Sequence, residues 1–162
     1  MPKSLEKIYL DSSIIIAWLK NEARPNNEMA GVEYCIKRIM NKELKAITSV
    51  LTRGEILDGK FPPGTVDSFK KAISRRRSFE WVAVDNRISD IAHNIRDYLL
   101  SIGTKLELPD AIHLATAIYN NVDALYTFDG DDLLPLDGEN IAGHRLVICK
   151  PPEPKQTSFE FP

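Results

Sequence analysis

The chain has 162 residues, of which 43% are hydrophobic and 27% are charged, and its formal net charge is −2. This length is sufficient for one domain with a substantial core. The near-neutral charge excludes a polybasic protein that coats nucleic acid, although a local basic patch is compatible with such an average.

The first half of the chain predicts strands that alternate with helices. KIYLD is a strand that ends at Asp11, and a helix follows by Ile15. PNNEMAGVEYCIKRIMNKEL has apolar residues at helical spacing, KAITSV is a β-branched strand, and LTRGEILDGK is helical as far as Gly59. FPPGTVDSFKKAISRRRSF begins as a loop at its two prolines and continues as a basic helix.

The second half continues the alternation. EWVAVD is a strand, NRISDIAHNIRDYLLSIG an amphipathic helix that ends at Gly103, and LPDAIHLATAIYNN a helix that begins at Pro109. VDALYTFD and HRLVICK are strands on either side of the loop DDLLPL. This rhythm indicates an α/β fold with a mostly parallel sheet over residues 1–150. We expect the proline-rich tail, residues 151–162, to be extended, disordered or a docking segment.

Four acidic residues fall near one edge of this predicted sheet. Asp11 and Asp129 close strands, and Asp110 lies in the first turn of a helix. Helix starts and the carboxyl ends of strands share the edge where open α/β sheets bind ligands. Glu55, within the helix after KAITSV, could reach back over the same edge.

Each of these acids also has a simpler interpretation. Asp11 and Asp110 could cap helices, Glu55 could be a solvated helix residue, and Asp129 could form a turn with Gly130. Four carboxylates at one edge would however repel one another unless a cation were bound. Sites rich in oxygen suit hard divalent ions, so the cluster predicts a site for Mg²⁺ or Mn²⁺.

Four segments carry a resemblance to a known family. IYLDSSIIIAWL, ITSVLTRGEIL, LPDAIHLATAIYNN and ALYTFDGDDL resemble, in order and spacing, the four acidic motifs of PIN-domain nucleases, and most of all those of VapC-type toxins. The resemblance runs from about Lys7 to about Ile148. It implies a PIN-like domain, a parallel sheet between two layers of helices, that assembles as a homodimer.

The resemblance also implies an activity and a partner. The activity is metal-dependent endoribonuclease cleavage, with catalytic metal ligands at Asp11, Glu55, Asp110 and Asp129. The partner is an antitoxin protein that fills the groove and inserts a basic side chain into the acidic pocket. Glu55 could hold a second ion or act as the base for the attacking water.

Several neighbouring residues complete the predicted site. Ser12 or Ser13, and Thr127, match small hydroxyl positions that line such sites. We interpret Asp131 and Asp132 as solvated loop residues rather than as additional site residues.

RNA binding would need basic side chains beside the acidic site. The segment FKKAISRRRSF supplies Lys71, Arg75 and Arg76, of which Lys71 and Arg75 share a helical face. Arg53, two residues before Glu55, is a second candidate. The alternative for every one of them is a solvated helix surface.

Other motifs are weaker. His113 follows Asp110 by three residues and could contact the site, but we interpret it as a residue that packs beside the helix. GEILDGKF resembles the start of a P-loop but has Phe61 where Ser or Thr is needed. Cys35 and Cys149 have no zinc-ligand spacing, which fits a reducing compartment.

Three other interpretations of the fold and activity remain open. The chain could be a PIN-like scaffold that binds RNA or protein without cleaving, or a stand-alone RNA-processing nuclease. A phosphatase of the haloacid dehalogenase type would need a second acid where Ser13 stands. The longest N-terminal apolar run, Ile14 to Leu19, is too short for a membrane helix, so we expect a cytoplasmic protein.

Overall fold

Five short parallel strands form the sheet in the computed structural model, which describes residues 4–74 and 77–155. The strands are β1 Lys7–Leu10, β2 Lys45–Ser49, β3 Phe79–Val82, β4 Ala124–Tyr126 and β5 Ile148–Cys149. Their order across the sheet is β3-β2-β1-β4-β5, and every neighbouring pair is parallel. The predicted parallel sheet is confirmed.

Helices occupy most of the connections between the strands. They are α1 Ser12–Lys20, α2 Glu28–Met40, α3 Leu51–Glu55, α4 Thr65–Ser74, α5 Asn86–Ser101 and α6 Leu108–Tyr119. The start of α5 is fixed by Asp85, whose side chain accepts a hydrogen bond from the backbone N–H of Ile88 at 3.0 Å. Pro109 lies in the first turn of α6, where its missing N–H is not needed.

The side chains of each strand alternate between two apolar layers. In β1, Ile8 and Leu10 pack with residues of α1, α2 and α4 on one face of the sheet. Tyr9 points to the other face and packs with residues of α5 and α6. Because the sheet is covered on both faces, most strand residues are apolar, as is typical of parallel strands, although β2 also contains the buried Thr48 and Ser49. The predicted three-layer α/β/α architecture is confirmed.

Two helix boundaries differ from the sequence prediction. α1 begins at Ser12 rather than near Ile15, because Asp11 is itself the extended residue before the first turn. α3 ends at Glu55 rather than at Gly59. Ile56 adopts an extended backbone and is buried, whereas Leu57 is 51% exposed. These two apolar residues therefore do not continue the helix.

The segment after β5 packs against α2. A Cβ atom on Gly31 would lie 2.2 Å from the carbonyl oxygen of Pro151, so this close approach requires glycine. Lys150 also donates to Glu28 at 2.8 Å.

The domain boundary at residue 150 stays a prediction, and residues 156–162 of the predicted tail lie outside the described part of the chain. Among the described helices, none combines the length and apolarity needed to cross a bilayer.

Candidate metal centre

The candidate site lies where the chain changes direction across the sheet. β1 is the central strand, with β2 on one side and β4 on the other. Connections therefore leave β1 and β4 toward opposite edges, which opens a crevice at their carboxyl ends. Asp11 follows β1 directly, and Asp129 follows β4 after two residues. The sequence prediction that strand ends would bring these acids to one edge agrees with this placement.

Asp11 is the most enclosed acid of the site. Its side chain is 6% exposed, and its Oδ2 accepts hydrogen bonds from Ser13 Oγ and Thr127 Oγ1, each at 2.7 Å. Its side chain makes no capping bond to α1, so the capping alternative does not describe it. The two hydroxyl donors satisfy one oxygen and turn the carboxylate toward the neighbouring strand.

Asp129 organises the loop after β4. Its backbone N–H donates to Thr127 Oγ1 at 2.9 Å. Its Oδ1 accepts from the backbone N–H groups of Asp131 at 3.1 Å and Asp132 at 2.9 Å. The predicted turn is therefore present, but it uses only one carboxylate oxygen, and the other can contribute to a ligand site.

Three aspartates bring their carboxylate oxygens together at this edge. One oxygen each from Asp110, Asp129 and Asp132 lies within 4.8 Å of the others. Asp132 is exposed, as expected of a loop residue, yet its position three residues after Asp129 places it in the cluster. Partial burial, followed by repulsion from Asp129, Asp11 and Asp132, raises the pKa of Asp110 to about 6.

His113 connects two further groups to this edge and is the residue whose contacts the sequence did not reveal. It is fully buried, and its Nε2 lies 2.6 Å from Glu55 Oε1 and 3.8 Å from Asp11 Oδ1. Its Nδ1 lies 2.5 Å from the hydroxyl of Tyr9, which accepts from the backbone N–H of Ser49 at 3.0 Å. The only available signal was its spacing, one helical turn after Asp110.

Burial shifts the pKa values of His113 and Tyr9 in opposite directions. Burial alone lowers the pKa of His113, but the hydrogen bond to Glu55 and the charge of Asp11 outweigh it, and the pKa is raised. Burial is also the main reason that the pKa of the Tyr9 hydroxyl lies well above its usual value. Tyr9 therefore keeps its proton and remains a hydrogen-bond donor.

The four predicted acids thus fall into two adjoining sets. Asp110 and Asp129 join Asp132 in the three-aspartate cluster. Glu55 ends α3, is 32% exposed, and is held with Asp11 around His113. The charge of Asp11 also acts on Asp110, so the two sets are electrostatically connected.

The chemistry of these side chains fits a hard divalent cation. The clustered donors are all carboxylate oxygens, which suit Mg²⁺ or Mn²⁺ better than softer metals. Burial is the largest cause of the raised pKa of Asp110, and the repulsion from Asp129, Asp11 and Asp132 that adds to it is what a cation would relieve.

The basic residues predicted to bind RNA are only partly described. Arg53 is exposed, and its guanidinium lies 4.7 Å from the centre of the Trp81 ring. Lys71 forms an ion pair with Asp67 at 2.9 Å on the surface of α4. Arg75 and Arg76 lie outside the described residues. Their role in binding RNA stays a prediction.

Comparison with solved structures finds the same fold in several proteins. VapBC2 from Rickettsia felis, bound to a promoter DNA fragment, matches with a TM-score of 0.63 and 15% identity over 88% of this chain and 96% of that chain. A toxin–antitoxin complex from Klebsiella pneumoniae matches with a TM-score of 0.58 and 21% identity over 91% and 99% of the two chains.

A third similar structure is VapC20 from Mycobacterium tuberculosis, described as a toxin that cleaves the sarcin–ricin loop. Its TM-score is 0.53 and its identity 19%, over 76% of this chain and 91% of that chain. Comparison with curated protein sequences gives no match. The family profile of the PIN domain, in contrast, matches residues 8–135, which include all four predicted acids. The chain therefore belongs to the PIN domain family.

Proposed function

We propose that the chain is a metal-dependent endoribonuclease that hydrolyses phosphodiester bonds of RNA, and that it is the toxin of a type II toxin–antitoxin pair. The observation that carries the proposal is the group of three carboxylate oxygens within 4.8 Å at the carboxyl edge of a PIN domain. The structural similarity to toxin–antitoxin complexes and to a toxin that cleaves the sarcin–ricin loop supports the choice of RNA and of a toxin.

Asp110, Asp129 and Asp132 are the residues that would hold Mg²⁺ or Mn²⁺, with Asp11 beside them. A bound divalent cation would supply charge stabilisation for the phosphodiester and activation of water as the nucleophile. Asp11 is held in one orientation by Ser13 and Thr127, so its free oxygen is directed without a loss of side-chain entropy on binding.

Glu55 differs from the three clustered aspartates in its surroundings. One of its oxygens accepts from His113, and the side chain is 32% exposed. This combination supports a role as the base that orients the attacking water and takes its proton, with a solvent path for that proton. The alternative role as a further metal ligand predicts that Glu55→Gln weakens Mn²⁺ binding as strongly as Asp110→Asn does.

The first experiment is a calorimetric titration of Mn²⁺ into the wild-type protein and Asp110→Asn. Asparagine keeps the size and polarity of the side chain and removes only its charge. We expect the variant to keep its circular dichroism spectrum and lose most of its metal affinity. Equal binding by both proteins, or binding by neither, would instead favour a PIN scaffold without catalysis.

Cleavage of RNA provides the matching functional test. Wild-type protein should cut RNA in Mg²⁺ or Mn²⁺ and stop when a chelator removes the ion. Activity should return when the metal is added back, because the carboxylates themselves are unchanged. Cleavage at an undiminished rate in chelator would contradict the metal mechanism.

The partner proteins require separate tests. We propose a homodimer that pairs with an antitoxin, and the toxin–antitoxin complexes of similar fold support the antitoxin partner. Light scattering on the purified chain should give twice the mass of one chain. Co-expression with the product of an adjacent small reading frame should yield a stable complex in which RNA cleavage is suppressed. A stand-alone RNA-processing nuclease would form no such complex.

A further inference from the structure

We propose that His113 is a positioning residue: it donates a hydrogen bond to Glu55 from Nε2, and Tyr9 supports that tautomer from the Nδ1 side. The inference rests on the proposed nuclease function for its catalytic consequence. Its structural part depends only on the buried hydrogen bonds among Ser49, Tyr9, His113 and Glu55.

The tautomer follows from counting donors along this chain of hydrogen bonds. The backbone N–H of Ser49 can only donate, so the Tyr9 oxygen accepts from it. At the other end, the carboxylate of Glu55 can only accept, so Nε2 of His113 carries a proton. In the neutral imidazole Nδ1 then has no proton and accepts the Tyr9 O–H.

Glu55 needs such a tether because of where it lies. It is the last residue of α3, a helix of only 5 residues, and Ile56 continues in an extended conformation. A glutamate side chain has three rotatable bonds, and a partly exposed one samples many positions unless a partner fixes it. The 2.6 Å contact with a fully buried imidazole supplies that partner.

His113 also sets the distance between Glu55 and the metal-binding aspartates. It lies on α6, a helix of 12 residues that carries Asp110 one turn earlier. Its Nε2 is 3.8 Å from Asp11 Oδ1, so the same N–H lies between two carboxylates that would otherwise repel each other. The rigid helix thus places Glu55 in register with Asp110 and beside Asp11.

The tautomer can be measured without metal or RNA. Two-bond ¹⁵N–¹H correlation spectra of the metal-free protein, recorded at alkaline pH where the imidazole is neutral, distinguish a protonated Nε2 from a protonated Nδ1. We expect protonated Nε2 in the wild type and a weaker preference in Tyr9→Phe, which removes the donor to Nδ1 but leaves the Glu55 carboxylate as the acceptor for Nε2. Protonated Nδ1 in the wild type would overturn the proposal.

Two substitutions at His113 separate positioning from packing. His113→Gln keeps an N–H donor for Glu55, whereas His113→Leu fills the space without one. Loss of a hydrogen-bonding partner around a catalytic group typically costs about 10–100-fold in activity. We expect a fall of that size in kcat for His113→Leu, a small change in KM, and substantial recovery in His113→Gln. Equal losses in both variants would indicate a packing role and refute the proposal.

A double mutant with Glu55→Gln decides whether His113 acts through Glu55. If it does, adding His113→Leu to Glu55→Gln lowers kcat little further, because the group being positioned has already gone. Multiplicative losses would show independent roles and refute positioning through Glu55. A wild-type protein that shows the Nε2–H tautomer but never cleaves RNA with metal present would refute the nuclease function and the catalytic part of this inference.

Discussion

Removing the hydroxyl of Tyr9 tests the buried network in the folded protein itself. Tyr9→Phe deletes the acceptor for the Ser49 N–H and the donor to His113 Nδ1, and all three residues are buried. Each buried polar group left without a partner costs about 1–3 kcal/mol. Phenylalanine also avoids the cost of removing the Tyr9 hydroxyl from water, and this gain offsets part of the loss. We therefore expect a loss of about 2–4 kcal/mol in the free energy of unfolding.

Urea unfolding followed by circular dichroism measures this loss. For a chain of this length each kcal/mol corresponds to about 2–4 °C, so the thermal midpoint should fall by about 4–16 °C. Tyr98→Phe is the matched control, because this tyrosine is 38% exposed and surface changes usually stay within about 0.5 kcal/mol. If Tyr9→Phe were as stable as Tyr98→Phe, the hydroxyl would not connect Ser49 to His113.

Three further predictions concern the metal and RNA sites. Asp132→Asn should weaken Mn²⁺ binding in calorimetry, whereas Asp131→Asn should not, because only Asp132 belongs to the carboxylate cluster. Thr127→Val should lower the free energy of unfolding in urea by about 1.5–3 kcal/mol, the usual value for a hydrogen bond to a charged group, since the hydroxyl donates to Asp11. An undiminished stability would show that Ser13 alone holds that carboxylate. Arg53→Gln should weaken RNA binding and reduce the slope of log Kd against log salt concentration by about 1. Arg53→Lys keeps the positive charge and should keep the slope. An unchanged slope in Arg53→Gln would exclude a phosphate contact.

The location of the site was predictable because topology determines it. Alternating strands and helices predict a parallel sheet, and the carboxyl ends of parallel strands share an edge. Asp11 and Asp129 were therefore expected at the same edge once their strands were assigned, and the pairing of β1 with β4 places the ends of their strands side by side. Asp132 could not be distinguished from Asp131 in the run DGDD, because both follow Asp129 in one turn and donate their backbone N–H groups to it. Only the folded turn shows that the carboxylate of Asp132 joins the cluster.

The end of α3 was not predictable from the apolar pattern. Ile56 and Leu57 continue the spacing of a helix, but the chain leaves the helix at Ile56 to bury that side chain in the core. Leu57 then lies exposed at 51%. Helical propensity over a few residues is weak, and tertiary burial overrides it. This early ending makes Glu55 a terminal residue, which depends on a contact from another helix to hold its side chain.

His113 was not identified because its two roles have the same sequence pattern. A residue on the inner face of α6 is buried whether it packs against apolar groups or forms hydrogen bonds with buried polar ones, and His113 is indeed fully buried. Its distinction arises from partners 104 and 58 positions away along the chain, Tyr9 and Glu55. α6 consequently carries two site residues one turn apart. Asp110 belongs to the aspartate cluster, and His113 forms the hydrogen bond with Glu55. Any displacement of α6 would move both groups together, so the helix would couple the proposed metal site to the placement of the proposed base.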